Sequence, residues 1–246
     1  MKQILLITDG CSNIGVSPIL AAAHALQEGI TVNVAGVVDY GAIGELGGLE
    51  IAEIAKSGGG ISRIVGTRQL AQTMQMMTRK TVVQTIQQAV NKELKHILGE
   101  GSLEDLSPQR RAQVVEVVDE LTETTPLQVA LLIDASGSMK PKLSAVEEAI
   151  RDLMLSLQAR EGQSELAVFH YPGRQGSEET VMNVGWTSDI GSLKSLFGRI
   201  QMKGATPTGP AIMKVIDFFH YGTLDAHQAW RGNSDEGEEI LGDYVV

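Results

Sequence analysis

Two short apolar runs punctuate the chain. Ile4-Leu5-Leu6-Ile7 ends in Thr8-Asp9-Gly10, and Val129-Ala130-Leu131-Leu132-Ile133 ends in Asp134-Ala135-Ser136-Gly137-Ser138. Each is of strand length, continuously apolar and bounded by turn residues, the pattern of a strand buried on both faces of a parallel sheet. Residues 31–37 form a third such run, and 61–65 a weaker one. Between these runs the period becomes helical. Residues 19–27 are Ala-rich and end at Gly29, and residues 49–56 end in Gly58-Gly59-Gly60, which reads as a helix stop rather than a phosphate loop. Across 144–159, Val146, Ile150, Leu153 and Leu157 share one face. Residues 1–80 therefore predict β-α-β-α-β-α, and residues 127–221 predict β-α-β-β-α-α with strands over 165–171 and 180–186. Such alternation predicts an α/β fold: a doubly wound, mostly parallel six-stranded sheet of Rossmann type with helices on both faces. The expected strand order is 180–186, 165–171, 129–134, 4–9, 31–37, 61–65, with only the first antiparallel.

The segment 81–126 breaks the alternation. Val83, Ile86, Val90, Leu94 and Ile97 step by three or four, Gly99 and Gly101 interrupt, and Ser107-Pro108 offers an N-cap and first helical residue for a second helix carrying Val114, Val115, Val118 and Leu121. The chain divides into one half of a fold over 1–80, a two-helix connector over 81–126, the other half over 127–222, and an acidic tail over 223–246 expected to be mobile. Met74, Met76 and Met77 read as core or helix-packing residues.

Composition narrows the function. The 246 residues are 43% apolar and carry a formal net charge of −10. That suits cations and basic partners and argues against nucleic acid, whose phosphates call for surplus Lys and Arg. The single cysteine, Cys11, allows no internal disulfide; with no paired base nearby in sequence it reads as a small buried thiol rather than a nucleophile. The first apolar run is too short for a secretory leader, and no stretch reaches the ~18 apolar residues of a membrane span, so the expectation is a cytoplasmic protein.

The chemistry concentrates at strand ends. In a doubly wound sheet ligands bind beyond the carboxyl ends of the strands, where the strand order reverses. The two halves each start with a buried strand, and these end in Asp9 and Asp134. At roughly 5–6 Å and an effective dielectric near 20, two such carboxylates repel by on the order of 3 kcal/mol, which a divalent cation would relieve. Asp134-x-Ser136-x-Ser138 and Gly204-Ala205-Thr206-Pro207-Thr208-Gly209-Pro210 both lie just before helices and add hydroxyls. Hard oxygen donors of this kind suit Mg²⁺, and no His or thiol cluster offers a zinc site. Ser136 and Ser138 also fit a helix N-cap near Met139, and Thr208 fits a hydrogen bond within its own loop.

Asp-x-Ser-x-Ser after an apolar strand, Gly-x-Thr-Pro before a helix, and Thr-Asp-Gly-x-x-Asn after another apolar strand together resemble the metal-ion-dependent adhesion site of von Willebrand factor A (VWA) and integrin I domains. Asn13 and Gly15 extend the third motif. The resemblance implies a ligand set of Asp134, Ser136, Ser138, Thr206 and Asp9 for Mg²⁺, with Mn²⁺ as a substitute, in a VWA fold. The order departs from the family, where the Asp-x-Ser-x-Ser strand comes first and Thr-Asp-Gly follows. The chain therefore reads as a circularly permuted domain in which the connector joins the family's usual termini, or as one whose halves are exchanged between two chains in a domain-swapped dimer. The resemblance implies a binding module rather than an enzyme: an open metal position accepts an Asp or Glu carboxylate from a partner protein. Its likeness to stand-alone bacterial VWA proteins implies work inside an ATPase- or kinase-containing assembly. Two alternatives stand beside it. A Mg²⁺-dependent phosphatase or phosphotransferase of the haloacid-dehalogenase type also carries strand-end aspartates, but neither Asp9-Gly10-Cys11 nor Asp134-Ala135-Ser136 matches its Asp-x-Asp. The other is a metal-free scaffold.

Overall fold

The computed structural model describes residues 1–38, 44–98, 107–173, 180–193, 200 and 204–222. Its elements run β1 (Lys2–Thr8), α1 (Pro18–Gln27), β2 (Ile30–Val38), α2 (Glu45–Ser57), β3 (Gly59–Gly66), α3 (Leu70–Leu98), α4 (Pro108–Thr124), β4 (Leu127–Asp134), α5 (Leu143–Gln158), β5 (Ser164–Tyr171), β6 (Val181–Thr187) and α6 (Thr208–Tyr221). The six strands form one sheet in the order β3-β2-β1-β4-β5-β6. All neighbours are parallel except β5 and β6, the order and directions expected from the apolar runs.

Side-chain alternation explains why both faces are covered. Leu5 and Ile7 of β1 and Val129, Leu131 and Ile133 of β4 point into one apolar layer with α3, α4 and α5. Ile4 and Leu6 of β1 and Ala130 and Leu132 of β4 point into the other, with α1, α2 and α6. A strand apolar at every position is what a sheet with two covered faces requires. β1 and β4 pair directly, Lys2 opposite Gln128 through Ile7 opposite Ile133, so the strand order reverses between them.

The connector differs from its expected form. α3 is one continuous helix of 29 residues, and the boundary expected between residues 80 and 81 falls inside it. No Gly or Pro interrupts 70–98, and Thr81, Val82 and Ile86 beyond the boundary are buried. The helix is also tied to the sheet by polar groups. Thr81 Oγ1 donates to Asn33 Oδ1 at 2.9 Å, the same oxygen accepts from Ile61 N at 2.9 Å, and Gln3 Nε2 donates to Thr78 O at 3.4 Å. Burying Asn33 inside an apolar strand run is tolerable because its oxygen is satisfied twice. α4 begins after Ser107 with Pro108 in the first turn, as expected, but the Ser107 side chain makes no capping bond. Met74 and Met77 are core and Met76 is partly exposed. Between β6 and α6 the described residues include a short 3₁₀ turn, Ile190–Leu193; the rest of the helix expected there and the tail over 223–246 lie outside the described residues.

Candidate metal-binding crevice

The reversal point brings the two aspartate loops together. Thr8, the last residue of β1, donates from Oγ1 to Asp134 Oδ2 at 2.7 Å, and Ser136 N donates to Asp134 Oδ1 at 2.8 Å. Ser138 Oγ donates to Asp9 Oδ1 at 2.8 Å, and Ser136 Oγ and Ser138 Oγ lie 3.2 Å apart. Asp134, Ser136, Ser138 and Asp9 thus form a continuous string of oxygens spanning β1 and β4. The serines do not cap the following helix. The chain leaves β4 into a 3₁₀ turn, Gly137–Lys142, and Ser136 at its N-cap position makes no side-chain capping bond. Each hydroxyl has one proton; Ser138 gives its proton to Asp9 and keeps lone pairs for another acceptor role.

The third loop is held from both sides. Thr206 N donates to Asn13 Oδ1 at 2.8 Å, Asn13 N donates to Thr206 O at 3.1 Å, and Ser12 Oγ donates to the same carbonyl at 3.1 Å. Gly209 makes this approach feasible: a Cβ there would lie 1.8 Å from Val16 O, so no larger residue fits without moving the backbone. Thr208 Oγ1 bonds Tyr171 OH at 3.1 Å rather than a partner within its own loop. Asn13 ends the Thr-Asp-Gly-x-x-Asn motif, and its role is to clamp the Thr206 loop to the one after β1.

Electrostatically the crevice is a buried acid beside a half-neutralised one. Asp134 is fully buried, and burial pushes its carboxyl up; the Ser136 amide and the Thr8 and Ser136 hydroxyls oppose this, and the Asp9 charge adds to it. Burial holds the Tyr171 phenol well above its ordinary range, with the Asp134 charge reinforcing it. Asp9 has a counter-ion absent from the sequence expectations. Lys142 Nζ pairs with Asp9 Oδ2 and also donates to Ser138 O at 3.1 Å, and its side chain is 10% exposed. Nothing in the sequence marks it: Lys142 follows Ser138 by four residues, on a 3₁₀ turn that contains Pro141.

Cys11 is exposed, which corrects the expectation of a buried thiol: it lies on the loop outside the sheet, not in it. Partial burial first, and then the Glu50 charge, push its thiol up, so it is a weak nucleophile. Among the described residues no three His, Cys, Asp or Glu side chains group into a metal cluster. What the crevice gathers is two carboxylates and several hydroxyls. That donor set fits a hard cation such as Mg²⁺ and not a soft one.

No protein-family model matches the chain. The uncharacterized protein YabS of Bacillus subtilis (strain 168) is 49% identical over 213 residues, covering 86% of each chain. The chain belongs to the YabS family. A solved structure from Alicyclobacillus acidocaldarius is 43% identical, covers 89% of this chain and 94% of its own, and superposes with a TM-score of 0.82, so the fold of the family is this six-stranded doubly wound sheet. A mussel byssus protein, proximal thread matrix protein 1, overlaps with a TM-score of only 0.27 at 16% identity, too slight a likeness to bear on fold or function. Among the described residues no helix is long and apolar enough to cross a membrane.

Proposed function

We propose that the chain is a circularly permuted VWA-type binding module that holds one Mg²⁺, or Mn²⁺, at Asp134, Ser136, Ser138, Thr206 and Asp9, and through it accepts an Asp or Glu carboxylate of a partner protein. The observation that carries the reading is the orientation of the two serines: both turn from the helix they could cap toward Asp9 and Asp134. A cap is the common job of Ser at such a place, and giving it up has a reason if the hydroxyls serve a cation. The permutation rests on the direct pairing of β1 with β4 within one chain, together with motif order. A bound Mg²⁺ would supply a positive centre for an anionic oxygen. The chain's own part is to aim neutral hydroxyls at it and to keep Asp134 dry. In this reading the Ser138 hydroxyl and the Asp9 carboxylate to which it donates are metal ligands rather than a nucleophile and its base, so the crevice is a binding site and not a hydrolytic one. The partner, on the same reading, belongs to an ATPase- or kinase-containing assembly in the cytoplasm.

The test is a Mg²⁺ titration by calorimetry on wild type and Asp134→Asn, with a pull-down from the cognate cell extract in Mg²⁺ and in EDTA. One site in wild type and none in the variant supports the reading. Equal binding in both overturns the ligand set, and p-nitrophenyl phosphate turnover abolished by Asp9→Asn would overturn the binding-module reading.

A further inference from the structure

Lys142 is a buried cation inside a crevice whose chemistry otherwise asks for a metal. Its relative exposure is 8%, it reaches Asp9 from the turn that also carries Ser138, and it meets Asp9 on the oxygen that Ser138 leaves free: Oδ1 accepts from Ser138 and Oδ2 from Lys142. Both oxygens of that carboxylate are therefore engaged by the protein itself. Asp134, by contrast, faces only neutral donors, Thr8 Oγ1 and the Ser136 groups. The two acids are unequal: one has its counter-ion built in, and the other has none among the described residues.

We infer that Lys142 is an internal competitor for the cation: its ammonium holds Asp9 in the metal-free protein and sets how tightly the crevice binds a divalent ion. The inference rests on the reading of the crevice as a metal site. A divalent ion at Asp9 must either displace the ammonium or bind beside it. Displacement breaks a buried charge pair, and coexistence places like charges a few ångströms apart where screening is weak. Either way the lysine lowers metal affinity. It also spares the empty crevice two unbalanced carboxylates, so the fold does not depend on metal. The length of the side chain matters as well as its charge, because the stem is packed and the head alone reaches Asp9.

The experiment compares wild type, Lys142→Met and Lys142→Gln by Mg²⁺ calorimetry, with Mn²⁺ electron paramagnetic resonance as a second probe. The two substitutions keep the stem and remove the charge. The expected result is metal binding tighter by about tenfold or more in both variants, given the unit charge removed at such short range. In EDTA, melts of Lys142→Met, Asp9→Asn and the double variant complete the test: the double variant should be more stable than the two single losses predict, because each single variant strands one charge. Wild-type binding with unchanged or weaker binding in both variants overturns the role of Lys142 and leaves the metal site standing. No Mg²⁺ or Mn²⁺ binding in any of the three overturns the metal reading itself and this inference with it. Strictly additive melts in EDTA overturn the claim that Lys142 holds Asp9, whatever the metal does.

Discussion

Replacing Asp134 with Asn should move stability in opposite directions depending on metal. The side chain is fully buried and accepts from Thr8 Oγ1 and Ser136 N. Asn preserves the shape and both contacts, with the Thr8 hydroxyl turning to accept from the new amide. It removes a charge that the folded state is penalised for burying, since burial pushes the Asp134 carboxyl up. In EDTA at neutral pH the variant should therefore be at least as stable as wild type, and its advantage should shrink as acid protonates the wild-type carboxyl. Ala behaves differently: it strands two buried donors, at about 1–3 kcal/mol each, so Asp134→Ala should lose roughly 2–6 kcal/mol by the same reckoning. With Mg²⁺ at ten times its Kd, wild type gains about 1.4 kcal/mol, which for a chain of this size is a rise of roughly 3–6 °C in Tm. Neither variant should gain it. The assay is a set of thermal melts with and without Mg²⁺. The result that would refute the reasoning is an Asn variant several degrees less stable than wild type in EDTA, which would mean that the charge of Asp134 is needed by the fold and not by a cation.

Three further outcomes follow from the geometry. Gly209→Ala should disturb the Thr206 loop, since its Cβ would meet Val16 O at 1.8 Å; a cost of about 1–3 kcal/mol in urea unfolding is expected for such overpacking, and Mg²⁺ affinity should fall with it. Asn33→Ala removes the acceptor of both Ile61 N and Thr81 Oγ1 and should cost about 2–4 kcal/mol in the same assay. Glu50→Gln should speed alkylation of Cys11 by iodoacetamide at pH 8, because the Glu50 charge helps to hold the thiol up; an unchanged rate would leave burial as the whole cause.

The sheet was legible because parallel strands advertise themselves. Residues 4–7 and 129–133 are apolar at every position, which only a strand covered on both faces demands, and the order of elements then leaves few topologies. The loop residues of the crevice were legible as motifs, because Asp9, Asp134, Ser136, Ser138 and Thr206 follow apolar strands or precede helices. Lys142 was not, since a lysine six residues after Ser136 carries no mark of where its four-carbon stem will lead. Residues 70–98 misled for a different reason. The apolar spacing from Val83 onward is that of an amphipathic helix, and periodicity gives the face of a helix but not what lies against it. Thr81 meets the sheet through Asn33, whose side chain stands in the middle of a strand and accepts from Thr81 Oγ1, and Ile86 packs into the apolar layer beside it. Ile86 is the direct probe of that difference: it is 6% exposed, so Ile86→Ala should cost about 2–5 kcal/mol, where a residue on a mere spacer would cost next to nothing.

The charges of the crevice set metal and partner affinity against each other. Asp9 and Asp134 with Lys142 carry one net negative charge, and the Thr8, Ser136 and Ser138 hydroxyls beside them are neutral. A divalent ion bound there, as proposed, leaves one net positive charge to attract a partner carboxylate. Without the lysine the same ion would leave the crevice neutral: it would bind the metal more tightly and the carboxylate more weakly. Lys142→Met should thus raise Mg²⁺ affinity while weakening capture of an acetate or acidic-peptide probe at saturating Mg²⁺. A purely structural lysine would move neither quantity in this opposed way, because loss of packing weakens both together.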